Sequence, residues 1–216
     1  MKNSSFIPAL KWHWATPFYD SFIKLTMPEH KVKSKVIELL AINSSEKVLD
    51  FGFGTGTSLV MIAKSYPQAR LFGYDLDEKI MKIARKKFDN ENVEVTVFSE
   101  NLEVISGNSM DKIFSTWVFH HLTYDEKLES MSHLYRMLKP GGTLVIADWG
   151  KQKNFIMSFL FLILQVVDNF KTTNDNRNGS IAKLLLRAGF VKHSNVPSQN
   201  TLFGTLSYWK VSKAED

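Results

Sequence analysis

The amino-acid sequence predicts an α/β protein built on an open, doubly wound sheet, and three observations carry that reading. The short apolar run Val48-Leu49-Asp50-Phe51 ends in glycines at alternate positions, Gly52, Gly54 and Gly56, and passes directly into Leu59-Val60-Met61-Ile62-Ala63. Further apolar runs of strand length alternate with helical patterns along the chain, as they do in βαβ units. The 216 residues, 44% hydrophobic and 23% charged, have an ordinary globular composition with enough apolar surface for one large core. A strand, a glycine-rich turn and a helix together hold a nucleotide-like ligand at the carboxyl edge of such a sheet.

The elements follow in order. Residues 12–22 are unusually aromatic, with Trp12, Trp14, Phe18, Tyr19 and Phe22; they serve either as core capping the sheet or as pocket lining. Pro17 and Pro28 break this region into short helical pieces, and a longer helix is predicted over residues 29–42. After the glycines, Ala69-Arg70-Leu71-Phe72-Gly73-Tyr74-Asp75 reads as a second strand. Asp77-Glu78 opens a helix through Phe88, with acids in its first turn and bases in its last. Val93-Glu94-Val95-Thr96-Val97-Phe98 alternates as a third strand, and Gly107-Asn108-Ser109 is a turn. Residues 124–138 read as a helix, and 144–148 as a strand entered through Pro140-Gly141-Gly142. Residues 154–168 are apolar almost all round, which suits a buried or interfacial helix; the run is too short to span a bilayer. Residues 172–179 read as a loop, 180–187 as a helix ended by Gly189, and the two late apolar stretches as a hairpin at the sheet edge.

The glycine spacing is informative. G-x-G-x-G is not the dinucleotide fingerprint G-x-G-x-x-G, and no Gly-Lys-Ser/Thr follows to make a phosphate loop. A plain tight turn would use the same residues. With Asp50 two positions ahead of Gly52, however, Val48-Leu49-Asp50-x-Gly52-x-Gly54-x-Gly56 resembles the first motif of the class I S-adenosylmethionine-dependent methyltransferases. The resemblance extends to Asp111 followed by an apolar strand and His120-His121-Leu122, and to Leu138-Lys139-Pro140-Gly141-Gly142 before another apolar strand. It covers residues from about 48 to 190 and is nearest to the ubiquinone-biosynthesis type, whose acceptors are small molecules or lipids.

That resemblance implies a Rossmann-like sheet of seven mostly parallel strands with an antiparallel last strand, and S-adenosyl-L-methionine as cofactor. Gly52, Gly54 and Gly56 would admit the amino-acid end of the cofactor. Asp50 would position that loop or the cofactor's ammonium, and Asp75, about 20 residues past Gly56, would accept hydrogen bonds from both ribose hydroxyls. Leu76 would lie beside the adenine. Glu100 and Asn101 stand where the family places a contact to the adenine amino group, in a Ser99-Glu100-Asn101 sequence that departs from the usual Gly-Asp-Ala-like one. Thr116, leaving the fourth strand, would lie near the reacting methyl. His121, His120 and Asp148 are the candidate bases, with a core or capping role as the plainer alternative for the histidines. Absence of an Asn/Asp-Pro-Pro-Tyr/Phe tetrad speaks against methylation of a planar base nitrogen.

The chain is expected to be one methyltransferase domain over residues 1–216, with cover helices over 1–45 and a lid segment over 151–178. There is no cysteine, which excludes disulfides, thiolate metal sites and a cysteine nucleophile, and a cytoplasmic location is expected. No metal site is expected. The net charge of +5 is mild, and the basic clusters at 31–35 and 85–87 fit solvated helix faces better than a nucleic-acid patch. The expected partner is a small-molecule or lipid-like acceptor, not nucleic acid, and basic spots are compatible with a peripheral membrane contact. A non-catalytic S-adenosylmethionine-binding protein and a dinucleotide-dependent oxidoreductase are the alternatives.

Overall fold

The computed structural model describes residues 29–99, 101–155, 157–159, 161, 170–201 and 204–215. The aromatic segment with Trp12, Trp14 and Tyr19, the candidate Glu100, and most of the apolar 154–168 stretch lie outside them.

Helix α1 (Glu29–Leu40) places Val32, Val36, Ile37 and Leu40 on one buried face, the i, i+4 spacing of an amphipathic helix. Each such side chain contributes roughly 1.5–3 kcal/mol on burial. Lys33, its side chain only 11% exposed, pairs with Glu29 at the margin of that face, and Lys35 pairs with Glu38 on the outer one. The helix ends two residues before the predicted limit, where Ala41 turns left-handed.

The chain then lays down β1 (Lys47–Phe51), α2 (Thr57–Ser65), β2 (Arg70–Tyr74), α3 (Glu78–Glu91) and β3 (Val95–Phe98). Asp77 caps α3, its carboxylate accepting the backbone N–H groups of Lys79 and Ile80. β4 (Met110–Thr116) is followed by a 3-10 turn, Phe119–His121, and by α4 (Tyr124–Met137), which opens on a Thr123–Glu126 capping box. β5 runs from Leu138 to Trp149, six residues longer at its start than the sequence indicated. The Pro140-Gly141-Gly142 turn is absorbed into the strand as a bulge: Met110 faces Leu138, whereas Lys112 already faces Thr143. Beyond the apolar segment come α5 (Phe170–Arg177), α6 (Ser180–Arg187), β6 (Val191–Asn195), β7 (Gln199–Thr201) and β8 (Gly204–Ser212).

The strand order is β3-β2-β1-β4-β5-β8-β6, with the short β7 paired to β8. β1 to β5 pair in parallel, and β8 is antiparallel to both β5 and β6. The seven-stranded, mostly parallel sheet with an antiparallel last strand is therefore as expected. The edge hairpin is as expected, with β6 pairing antiparallel with β8, which lies between β5 and β6; its one correction is β7, an extra strand off the main order. Helices cover both faces over two cores, one around Leu40, Leu59 and Phe88, the other around Ile113, Met131 and Leu134.

A second correction concerns residues 172–179. Seven polar or charged residues in succession suggest a loop, yet 170–177 form helix α5. Thr172, Thr173 and Asn176 are buried, and Thr172 O and the Asn176 amide nitrogen find partners inside the protein. That compensation lets a polar helix pack where composition alone predicts solvent.

Candidate active site

The strand order reverses direction between β1 and β4, so the loops leaving their carboxyl ends diverge and leave a crevice. The glycine loop follows β1; Thr116, Trp117 and His120 follow β4. The three glycines serve different ends. A Cβ on Gly52 would lie 2.3 Å from Val118, and one on Gly56 would lie 2.4 Å from Phe88, so both are fixed by close packing. Gly54, at φ +55°, would meet nothing within 4 Å. It is the point where the backbone opens to a ligand.

Two acids flank that opening. Asp75 accepts the backbone N–H of Gly54 on one oxygen (2.8 Å) and that of Asp77 on the other (3.0 Å). The carboxylate is thereby oriented across the mouth of the loop, and each oxygen keeps a lone pair for a second donor. Asp50, next to last in β1, is 2% exposed. Burial pushes its carboxyl up to about 8; Lys33 opposes the shift and Asp75 adds to it. Leu76 is an exposed apolar side chain next to Asp75. Asn101 spends its side chain locally, accepting the N–H of Glu103 and capping the 3-10 turn Leu102–Val104.

At the end of β4, Thr116 Oγ1 and Trp117 Nε1 are buried polar atoms with no hydrogen-bond partner among the described residues. Trp117 also takes a left-handed backbone, φ 55°, a strained state for a bulky residue. Orphaned polar atoms and local strain concentrate where a ligand is to be bound. An open glycine, an oriented carboxylate, a buried acid and two unpartnered polar atoms around one crevice fit the ribose, ammonium and carboxylate of S-adenosylmethionine.

The structure separates the two histidines. His120 is 4% exposed, and its Nδ1 lies 2.8 Å from Oδ1 of the fully buried Asp148. Its backbone N–H donates to Asp148 Oδ2 (3.2 Å), and Trp149 N–H donates to Oδ1 (2.6 Å). Burial by itself would raise the Asp148 carboxyl, but the charge and hydrogen bond of His120 and the Trp149 N–H outweigh it and hold the carboxyl below its ordinary value. Asp148 is thus an ionised anchor, occupied on both oxygens. The His121 ring lies against that of His120, tilted by 43°, with ring centroids 3.9 Å apart. Burial, then the neighbouring His120, push its imidazole down to about 3, with Asp148 opposing. His121 stays neutral at physiological pH and is a weak proton acceptor.

Sequence reasoning did not find two residues of this cluster. Asn176 on α5 donates to Trp149 O (2.9 Å) and approaches Asp148 Oδ1 (3.4 Å). Lys127 on α4 is wholly buried and donates to Thr172 O (2.6 Å), with Asp175 at 3.5 Å. Neither stands out locally: Lys127 lies in an ordinary charged helix, Asn176 in what reads as a loop. A cleft of about 570 Å³ opens elsewhere, against the amino ends of β2 and β3, lined by Lys64, Arg70 and Glu94 among others. It is at the wrong end of the strands for the chemistry of this fold.

Residues 48–142 match the family described as a methyltransferase domain. The chain is 28% identical over 115 residues to the ubiquinone/menaquinone biosynthesis C-methyltransferase UbiE of Desulfotalea psychrophila, covering 53% of this chain and 46% of that one. It is 30% identical over 146 residues to the tRNA N(3)-methylcytidine methyltransferase trm140 of Schizosaccharomyces pombe, covering 60% and 48%. The chain thus spans about half the length of these two relatives. In fold, it superposes on a SAM-dependent methyltransferase of Aquifex aeolicus with a TM-score of 0.64 at 20% identity, covering 89% of this chain and 96% of that one. Among the described residues, no helix is long and apolar enough to cross a membrane.

Proposed function

We propose that the chain transfers a methyl group from S-adenosylmethionine to a small apolar or lipid-like acceptor, with His120 as general base. The observation that carries this reading is the buried His120–Asp148 pair at the carboxyl edge of β4 and β5. Burying an ionised carboxylate against a neutral imidazole is a poor stabiliser, because desolvating the charge offsets the hydrogen bonds it gains. A scaffold or a purely cofactor-binding protein gains little from it; a proton-transfer site does. A dinucleotide oxidoreductase is disfavoured by the glycine spacing and by the family match.

The residues divide the work. Gly54 admits the cofactor's amino-acid end, Asp50 faces its ammonium, Thr116 and Trp117 offer polar atoms nearby, Asp75 holds the ribose, and Leu76 lies beside the adenine. The sulfonium supplies an activated methyl and a neutral leaving group. The protein must hold the acceptor in line with the methyl–sulfur bond and take its proton. Asp148 accepts from His120 Nδ1–H, which fixes the tautomer and assigns proton uptake to Nε2. The acceptor's nucleophilic atom gains the methyl, and its proton goes to Nε2. His120 and the reacting centre are shielded from water by burial, which strengthens that exchange.

The apolar character of the acceptor is supported by the segment after β5. Phe161 packs edge-on against Trp149, ring centroids 5.9 Å apart, beside His120. Phe155 and Phe159 on the same segment are exposed by 85% and 58%, an apolar surface suited to a hydrophobic acceptor or a bilayer face. Residues 151–178 then act as the lid and 1–45 as the cover of a single domain over 1–216. An RNA acceptor is less favoured, because Lys33 and Lys35 are already paired with Glu29 and Glu38. The cysteine-free composition supports a cytoplasmic location. The test is incubation of the full chain with methyl-labelled S-adenosylmethionine and separate lipid, metabolite and RNA extracts. Label in the lipid or apolar metabolite fraction is expected; label confined to RNA, or none in any fraction, overturns the proposal.

A further inference from the structure

We propose that Asn176, delivered by helix α5, is a positioning residue that fixes the Asp148 end of β5 and so keeps His120 in its base-competent orientation. The inference rests on the reading of His120 as the base. Its footing is geometric. Asn176 is fully buried, and Nδ2 donates to Trp149 O at 2.9 Å while lying 3.4 Å from Asp148 Oδ1. Both of those atoms only accept, so the amide orientation is dictated by chemistry. Its own Oδ1 is left buried without a partner among the described residues. A fold seldom tolerates such an orphan unless the donors on the same group are needed where they are.

Among the described side chains of helix α5, the buried ones are polar: Thr172, Thr173 and Asn176. The helix is held against the Phe119–His121 turn, with the buried ammonium of Lys127 bonded to Thr172 O. Lys127 thus anchors the helix one turn before Asn176, and Asn176 reaches from it onto the last residues of β5. The same Asp148 oxygen then receives His120 Nδ1, Trp149 N and Asn176 Nδ2. Loss of the amide releases both Trp149 O and one side of the carboxylate, and the carboxylate can turn away from the imidazole.

The NMR arm of the test needs no acceptor. The full chain, labelled with 15N in histidine and mixed with S-adenosylhomocysteine, is observed by NMR as wild type, Asn176→Ala and the near-isosteric Asn176→Asp, with His120→Gln to assign the ring. Wild type is expected to show His120 in one tautomer, with a slowly exchanging proton on Nδ1. In both variants that proton should exchange about tenfold faster, the equivalent of one charge-assisted hydrogen bond, and the Nε2–H tautomer should appear. An unchanged tautomer and exchange rate in either folded variant overturns the positioning role. Undiminished methyl transfer to the extract by His120→Gln overturns the base reading instead, whatever the NMR shows, and takes Asn176 out of the reaction with it.

Discussion

Replacing Asp50 with asparagine removes one buried titration and leaves the size of the side chain unchanged. The wild-type carboxyl sits in β1 at 2% exposure with its pKa raised from 3.8 to about 8. The folded state therefore favours the protonated form. The contribution of this group to stability is complete below about pH 4 and is lost as the pH rises through about 8. The loss runs at about 1.4 kcal/mol per pH unit, on the order of 5 kcal/mol in all. Between pH 6 and pH 9, wild type should lose about 3 kcal/mol relative to Asp50→Asn in urea unfolding. The cofactor's ammonium reverses the preference, since a cation beside Asp50 favours the carboxylate. At pH 6 only about one molecule in a hundred carries that carboxylate, so apparent affinity is reduced by the same fraction. Calorimetry with S-adenosylhomocysteine should show affinity rising about tenfold per unit from pH 6 towards pH 8. Asp50→Asn should bind more weakly at pH 8 and show no such slope. Equal pH slopes for the two proteins, in unfolding and in binding, would refute the argument.

Other outcomes follow from the same geometry. Asp75→Ala should weaken S-adenosylhomocysteine binding by tenfold or more, because a charge-assisted hydrogen bond contributes about 1.5–3 kcal/mol; calorimetry on the folded variant reads this directly. His120→Gln should cut the rate of transfer into the accepting extract by roughly 10²–10⁴, whereas His121→Gln, which removes an imidazole already neutral, should leave the neutral-pH rate near wild type. The depressed pKa of His121 also means that the unfolded chain takes up an extra proton between about pH 6.5 and about pH 3. Its contribution is present above that window and is lost as the pH falls through it, so His121→Gln should be less acid-sensitive in denaturant titrations. Lys127→Met should destabilise by about 1–3 kcal/mol, because Thr172 O loses its buried donor, as thermal unfolding will show.

How much was legible follows from where each signal resides. The parallel strands were readable because burial on both faces demands continuous apolar runs such as Val48-Leu49 and Leu144-Val145-Ile146, all of which are buried. The carboxyl-edge candidates Asp50, Asp75, Thr116, His120 and Asp148 were readable because a strand end is located by the run before it. Motif residues without chemistry look the same in sequence. Asp111 and Lys139 belong to the most recognisable motifs, yet they pair with each other, and Asp111 also accepts the N–H of Lys47 at the other end of the sheet. The site of β8 was not readable, because an antiparallel pair says nothing of which member lies inside. Here the Gly204–Ser212 strand is buried along most of its length between β5 and β6, which its apolar Leu206, Tyr208 and Val211 record only afterwards.

Helix α5 shows why the remaining part of the site was out of reach. Periodicity methods assume that burial is apolar, and Thr172, Thr173 and Asn176 break that assumption. They are inside because their partners are inside: a lysine 45 residues away for Thr172, and the end of β5 for Asn176. Such pairs carry no local trace, since each member is unremarkable until the fold brings the other to it. The adjacent histidines make the same point at one-residue resolution. His120 and His121 are indistinguishable in sequence, yet a single step along the 3-10 turn puts one ring on a buried carboxylate and the other behind it. Hydrogen bonding in this site is therefore set by the twist of one turn against β5, and a change that rotates that turn should cost His120 its bond to Asp148.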